Sequence, residues 1–435
     1  MSWNRLIRTG ITIAIVGLSS LNAASIRQIS DDELIIRGLF YSQHKAYDQS
    51  RQVFELLYKR SGDKVYLLKE IAASLLGRTH IKESIADAKA YDKLHPNDLE
   101  LKRLLIPLLL TNQQVAEAKQ EADILLAQSQ SASDLELASN PYLYSGEFKK
   151  ALSLLEKAYE KSPNENILLR MASIMDEYTG ERRRAIQLLE THRRVNVVTS
   201  NDVYFKLLGL YVKENDVDGV LSIYQALYAN DKNDDYLQKI IRAYAYKGDV
   251  DGAIAFLEKN RAGLKTLYQL YKSKKYFKKA LHLAKTFYDE EKDPKWLAEM
   301  AILYYEEAKD KNDKAMIEKV VKTFDKALSL GVDDSIYLNY YGYTLIDKDI
   351  DVKKGIKILK DALKQQPDNT YYLDSLAWGY YKEGECKEAY RIMKHVIDIE
   401  GEGEPEIADH WKRINQCQEG SAPVGYNAKK ITKEK

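Results

Sequence analysis

The residues of this chain best suited to chemistry are seven histidines, two cysteines and several paired carboxylates, and their spacing argues against a reaction centre. His44, His80, His95, His192, His282, His395 and His410 are scattered along the chain. None stands in an HExxH pattern, and no Cys/His cluster has the spacing that closes a metal site. There is no GxSxG elbow and no glycine-rich loop that would cradle a phosphate. The acid pairs Asp31/Asp32 and Asp333/Asp334 fall where helices are expected to begin. Negative charge there suits the helix dipole, so neither pair requires a general acid or base to explain it. The run KSKKYFKK (residues 272–279) mixes lysine with aromatics. It reads as solvated helix faces around a turn in preference to a polyanion site. The sequence therefore predicts no catalytic residue, no metal, no cofactor and a protein that is not an enzyme.

The elements that carry these residues are suggested by the totals. The net charge of +1, from 66 Lys plus Arg against 65 Asp plus Glu, gives no reason to expect nucleic acid or an anionic membrane as partner. With only 8 prolines and 21 glycines in 435 residues, the chain has few breaks and suits helix. The 32 tyrosines against 8 phenylalanines point to half-buried faces, because tyrosine fills space while keeping its hydroxyl wet. An extended structure with much surface needs many such residues.

The first residues follow a different logic. Arg5 and Arg8 precede an apolar run over residues 11–21, and the small residues Ala23 and Ala24 follow. Basic, apolar, small is the order of a secretory signal peptide, expected over residues 1–24; the competing reading is an uncleaved membrane anchor. The run is short for a permanent span. No cysteine lies near the expected cleavage point, which excludes lipid attachment there. The chain is therefore expected to be exported, into the periplasm or envelope if its source is bacterial, with no lipid anchor and with any membrane association running through a partner.

The body of the chain repeats. Leu373, Leu376, Ala377 and Tyr380 fall at helical spacing, Gly384 interrupts, and Ala389, Met393 and Val396 resume it. That describes two short amphipathic helices joined at a glycine turn. The pattern recurs with Leu338, Tyr341, Gly342 and Leu345, then Gly355, Leu359, Ala362 and Pro367. It recurs again with Leu237, Ile240, Tyr244, Gly248 and Ala253, with Gly146, Ala151, Leu155, Ala158 and Pro163, and with Ala72, Leu75, Ser84, Ala88 and Pro96. The period is about 34 residues. This spacing resembles the tetratricopeptide repeat. The resemblance implies an all-α fold: an α-solenoid, a right-handed superhelix of about eleven helical hairpins over residues 25–403. Pro107 and Pro141 fall inside expected first helices and should kink or shorten them. The second helix around residues 251–260 should be short. EEAKDKNDKAM should lengthen a turn.

A last repeat leaves an apolar face uncovered, and PEIADHWKRINQCQ, with Ile407, Trp411 and Ile414 on one face, is expected to cap it over residues 404–418. The polar tail, residues 419–435, should be disordered. Cys386 opens the second helix of the last repeat and Cys417 closes the capping helix. Antiparallel packing would bring them together as a disulfide closing a loop of roughly 30 residues and worth roughly 3 kcal/mol; two unpaired thiols remain the alternative.

In the tetratricopeptide family the first helices line a concave groove that commonly holds a peptide or a partner's helix. On that resemblance the groove residues here are Asn339, Tyr343, Asp374, Trp378 and Tyr381, with Arg242 and Tyr246 in similar places earlier. Asn and Asp could hold a peptide backbone, and Tyr and Trp could anchor a side chain. Trp378 is the expected principal anchor, since an exposed Trp otherwise invites aggregation. The last two units, NYYGYTLIDKDIDVKKGIKILKDALKQQPDNTYYLDSLAWGYYKEG, are similar to exported bacterial tetratricopeptide proteins. Some of those activate carboxyl-terminal processing proteases and others help assemble envelope machinery. The implied function is a non-catalytic scaffold binding a protein or peptide partner in the envelope. The alternative is a peptidoglycan- or polysaccharide-binding component whose groove aromatics stack on sugars.

Overall fold

Short polar side chains fix where many of the helices begin. In the computed structural model, which describes residues 29–196 and 198–420, Ser30, Asp63, Asp98, Ser131, Asn164, Asp334 and Asn369 each accept a hydrogen bond from a backbone N–H in the first turn that follows. Such a cap stabilises a helix by about 1 kcal/mol, because it satisfies a donor that has no partner within the helix. The expected signal peptide lies outside the described residues, as does the tail from residue 421 onward.

Twenty-three helices follow among the described residues, and no strand. They are α1 (Asp31–Gln43), α2 (Tyr47–Ser61), α3 (Lys64–Gly77), α4 (Ile81–Asp92), α5 (Leu99–Thr111), α6 (Val115–Gln128), α7 (Ala132–Tyr144), α8 (Phe148–Lys161), α9 (Glu165–Glu177), α10 (Arg182–Val195), α11 (Asn201–Lys213) and α12 (Val217–Asp231). The chain continues with α13 (Asp234–Lys247), α14 (Val250–Asn260), α15 (Leu264–Ser273), α16 (Phe277–Glu291), α17 (Lys295–Glu307), α18 (Lys314–Ser329), α19 (Ser335–Asp347), α20 (Val352–Gln365), α21 (Thr370–Lys382), α22 (Cys386–Glu400) and α23 (Pro405–Gln418). None is long and apolar enough to cross a membrane. The chain divides within α13, after Lys239, into two compact units.

In the second unit, two glycines let α19 and α20 approach closely. A Cβ on Gly355 of α20 would lie 2.7 Å from the Gly342 carbonyl oxygen of α19, and one on Gly342 would lie 2.8 Å from Leu359 Cγ. Ile356, Leu359 and Ala362 of α20 are buried, while the intervening Lys353, Lys357 and Lys360 are exposed. Burying a leucine as completely as Leu359 contributes about 2–5 kcal/mol relative to alanine.

In the first unit, charge occupies comparable buried places. Lys102 is 1% exposed, and its ammonium donates to Asp92 at 2.6 Å and forms an ion pair with Glu121 at 2.5 Å. Asp134, equally buried, accepts both arms of Arg103 at 2.8 and 2.9 Å. Glu70 is fully buried between Ser84, at 2.9 Å, and Arg51, at 3.3 Å.

The two prolines do not shorten their helices: α5 and α7 each run 13 residues. At Pro141 a side chain repairs the missing bond. The carbonyl of Leu137, which would have accepted from residue 141, accepts instead from Asn140 Nδ2 at 3.0 Å. The short unit is α14, of 11 residues, followed by α15, of 10. The long turn spans residues 308–313 between α17 and α18.

Candidate functional site

The first helices α17, α19 and α21 flank a cleft of about 630 Å³ in the second unit. The α19 helix contributes Ile336, Asn339, Tyr340, Tyr343 and Asp347; α17 contributes Tyr305 and Glu306; α21 contributes Tyr371 and Asp374. Glu406, from the first turn of α23, also lines it. Three of the residues singled out in the sequence, Asn339, Tyr343 and Asp374, therefore share one cleft. Arg242 and Tyr246 lie exposed on α13 and do not line it.

Trp378 requires a correction. It is not an exposed anchor but is 6% exposed. The capping helix covers it: the His410 ring stacks on the indole at 4.2 Å with 16° between planes, and Tyr381 stacks beside it at 4.8 Å. His410 Nδ1 lies 2.9 Å from an Asp374 carboxylate oxygen, and the Tyr343 hydroxyl donates to Glu406. The face that α23 buries runs through Ile407, His410, Ile414 and Cys417. Trp411, expected on that face, sits at its flank and stacks on Tyr390 at 5.3 Å. A histidine was thus part of the buried stripe, and a scan for isolated titratable groups could not reveal it. The Cα atoms of Cys386 and Cys417 lie 5.5 Å apart, and their sulfurs are joined.

The cleft is acidic and rich in hydroxyls. Burial raises the Tyr343 phenol, and its bond to Glu406 raises it further. Burial likewise raises Tyr340, with the charges of Glu306 and Glu299 adding to it. Beneath the neighbouring helices, Glu299 accepts from Tyr268 at 2.5 Å and Tyr337 at 3.0 Å and pairs with Lys272 at 2.9 Å. The lysine-rich run around residue 275 is largely neutralised in the same way: Lys274 meets Asp251 at 2.9 Å and Lys279 meets Glu258 at 2.7 Å. Among the described residues, no group of three His, Cys, Asp or Glu is placed to hold a metal.

Ile336, Tyr340 and Tyr371 were not picked out from the sequence. They are 52%, 43% and 59% exposed at the rim. The available signal was positional. Ile336 and Tyr371 are each the second residue of their helix, where a large apolar group has no packing task within its own hairpin.

The turns give the repeat its clearest mark. Gln113, Gly146, Gly180, Asn215 and Gly248 all have positive φ, at a spacing of about 34 residues. No family model matches the chain. A TPR repeat-containing protein of Pseudomonas aeruginosa is 29% identical over 90 residues, which cover 21% of this chain and 15% of that protein. Over those residues the chain is similar to a tetratricopeptide repeat protein, and its described helices repeat as hairpins. Solved structures that align over 90% of it include the APC/C hetero-tetramer Cut9–Hcn1, at 11% identity, TM-score 0.37 and 98% of that chain. Naa15/Naa10 bound to HypK-THB aligns at 16% identity, TM-score 0.26 and 66% of that chain. The TPR domain of P58(IPK) aligns at 13% identity, TM-score 0.22 and 99% of that chain. Tetratricopeptide folds generally mediate protein–protein interaction, and α17, α19 and α21, each the first helix of its hairpin, bound the cleft.

Proposed function

We propose that this chain is an exported, non-catalytic scaffold of the bacterial envelope that holds a protein or peptide partner along its first helices. The observation that carries the reading is the apolar rim of Ile336, Tyr340 and Tyr371 standing in solvent beside a polar cleft. Large apolar groups gathered beside a concavity favour a macromolecular partner. Export is supported by the basic-apolar-small order of residues 1–24 and by the Cys386–Cys417 pairing, which suits an oxidising compartment. Within the envelope, assembly of a larger machine or control of a processing protease are the roles this reading accommodates. The glycan-binding alternative loses its principal aromatic, because Trp378 is packed under α23.

A photo-crosslinking residue placed at Tyr371 in cells, with Leu94 as control because it is 78% exposed in the first unit, tests the reading. One abundant adduct with an envelope protein is expected from position 371 and not from position 94. Absence of that adduct, or the same adducts from both positions, would remove the reading. Recovery of the chain with cytoplasmic markers after osmotic shock would remove its envelope half.

A further inference from the structure

We propose that the cleft between α17, α19 and α21 receives a lysine or arginine side chain from an extended segment of a partner protein, with an apolar neighbour of that residue resting on the rim. The proposal rests on the scaffold reading and adds the chemistry of the partner.

Charge is the first argument. The ionic residues lining the cleft are Glu306, Asp347, Asp374 and Glu406, and no lysine, arginine or histidine lines it. Three of these acids are engaged: Asp347 with Lys348 at 2.9 Å, Asp374 with His410, and Glu406 with Tyr343. Glu306 has Lys311 at 3.9 Å, too long for a hydrogen bond. Glu306 is thus paired with Lys311 by charge alone, so its carboxylate oxygens remain able to accept hydrogen bonds from an incoming cation, which the other three acids favour electrostatically.

The second argument is an unmet acceptor. Asn339 Oδ1 is buried without a hydrogen-bond partner, and it lines the same cleft. Buried polar atoms are rarely left unpaired. A backbone N–H of an extended segment is a donor that could reach such a position, and an aliphatic or purely aromatic occupant has none to offer. The third argument is the rim. Tyr340 and Tyr371 offer ring faces to a cation, and Ile336 beside them offers purely apolar area. A small polyamine would meet the carboxylates and ring faces but would leave Ile336 bare. An acidic segment would be repelled.

The test is a selection of random dodecapeptides displayed on phage against the full oxidised chain, followed by titration of synthetic copies. The expected binders carry a Lys or Arg next to an apolar residue. Their affinity should fall about tenfold or more when that cation is replaced by norleucine, and similarly for the Glu306→Gln and Tyr371→Ala chains. Both variants alter half-buried or exposed side chains, and unchanged circular dichroism and thermal midpoint establish that each is folded. Binders without a cation, binders indifferent to both variants, or no binders would overturn the proposal. So would spermidine binding as tightly as the peptides, or peptides that bind only after residues 421–435 are removed, which would assign the cleft to the lysines of the chain's own tail. Binders that map to another surface would sink the cleft and leave the scaffold reading standing, whereas the cross-linking result bears on the scaffold reading alone.

Discussion

A helix joint in each unit shows a different chemistry. In the first, long ionised side chains reach into the interior and meet opposite charge: Lys102 between Asp92 and Glu121, Asp134 against Arg103, Glu70 against Arg51. In the second, α19 and α20 close on each other because Gly342 and Gly355 have no side chains, and the last helix is held by stacked rings and a disulfide. The contrast shows that one hairpin plan tolerates both a dry glycine contact and a wet-chemistry joint. The two should fail differently. A charged joint fails when one partner is removed and the others are stranded. A glycine joint fails when anything is added.

Lys102→Ala should be the most damaging single change. It leaves Asp92 and Glu121 facing each other, at 18% and 17% side-chain exposure, without their shared cation. Removing one member of a buried ionic group costs about 3–5 kcal/mol. Urea unfolding of the full chain should show the loss, and hydrogen exchange should localise it to α4, α5 and α6. A loss below about 1 kcal/mol, the size of an exposed pair, would mean that the joint is solvated in practice.

Gly355→Ala should come next. The new methyl would sit 2.7 Å from a backbone oxygen and 2.6 Å from Ile346 Cγ1, so α19 and α20 must separate. Overpacking of this kind costs about 1–3 kcal/mol. Exchange should accelerate in α19 and α20 but not in α5. Uniform acceleration would contradict the picture of local joints.

This contrast also explains what could be read from residues alone. The glycine joint was legible: Gly342 and Gly355 stand at the small positions of a repeated pattern, and pattern is what a sequence displays. So were the hairpins and the long turn after α17. The turns were only half legible. Gly146, Gly248 and Gly384 announce a left-handed residue, but Lys45, Gln113 and Lys275 adopt the same positive φ without any compositional sign, held there by the hairpins on either side. The ionic joint was illegible, because Lys102 or Glu70 on a helix surface and in a helix interface look alike until the neighbouring repeat is in place. Trp378 was misjudged for the same reason. Its exposure was inferred from its own repeat, and its actual cover is His410, more than one helix away in the chain. Local periodicity specifies which residues face a neighbour; it does not specify which neighbour arrives. The cleft was partly legible, through Asn339 and Tyr343, whereas its rim depends on Ile336 and Tyr371 being left uncovered by anything that follows.

The smallest effect should come from Glu70→Gln, and its sign with pH distinguishes two kinds of buried acid. Burial raises the pKa of Glu70, against the opposing pull of Ser84 and Arg51. Asp134 is held well below the usual carboxylate range, chiefly by its bonds to Arg103. A carboxyl with a lowered folded pKa stabilises the fold above its unfolded pKa and loses that contribution as pH falls. A carboxyl with a raised folded pKa does the reverse: the fold binds its proton more readily, so its contribution improves as pH falls through the folded value. Glutamine mimics the protonated form. Arg51 keeps Glu55 at 2.9 Å after the change, so no cation is stranded. Glu70→Gln should therefore shift stability by no more than about 1 kcal/mol at pH 7, in the stabilising direction. The difference from the parent chain should be smaller at a lower pH, where Glu70 itself takes up a proton more readily. Urea midpoints at the two pH values measure this. A destabilisation at pH 7 as large as that of Lys102→Ala would mean that Glu70 stabilises its joint through its charge. The first unit would then contain one kind of ionic contact where the geometry distinguishes two.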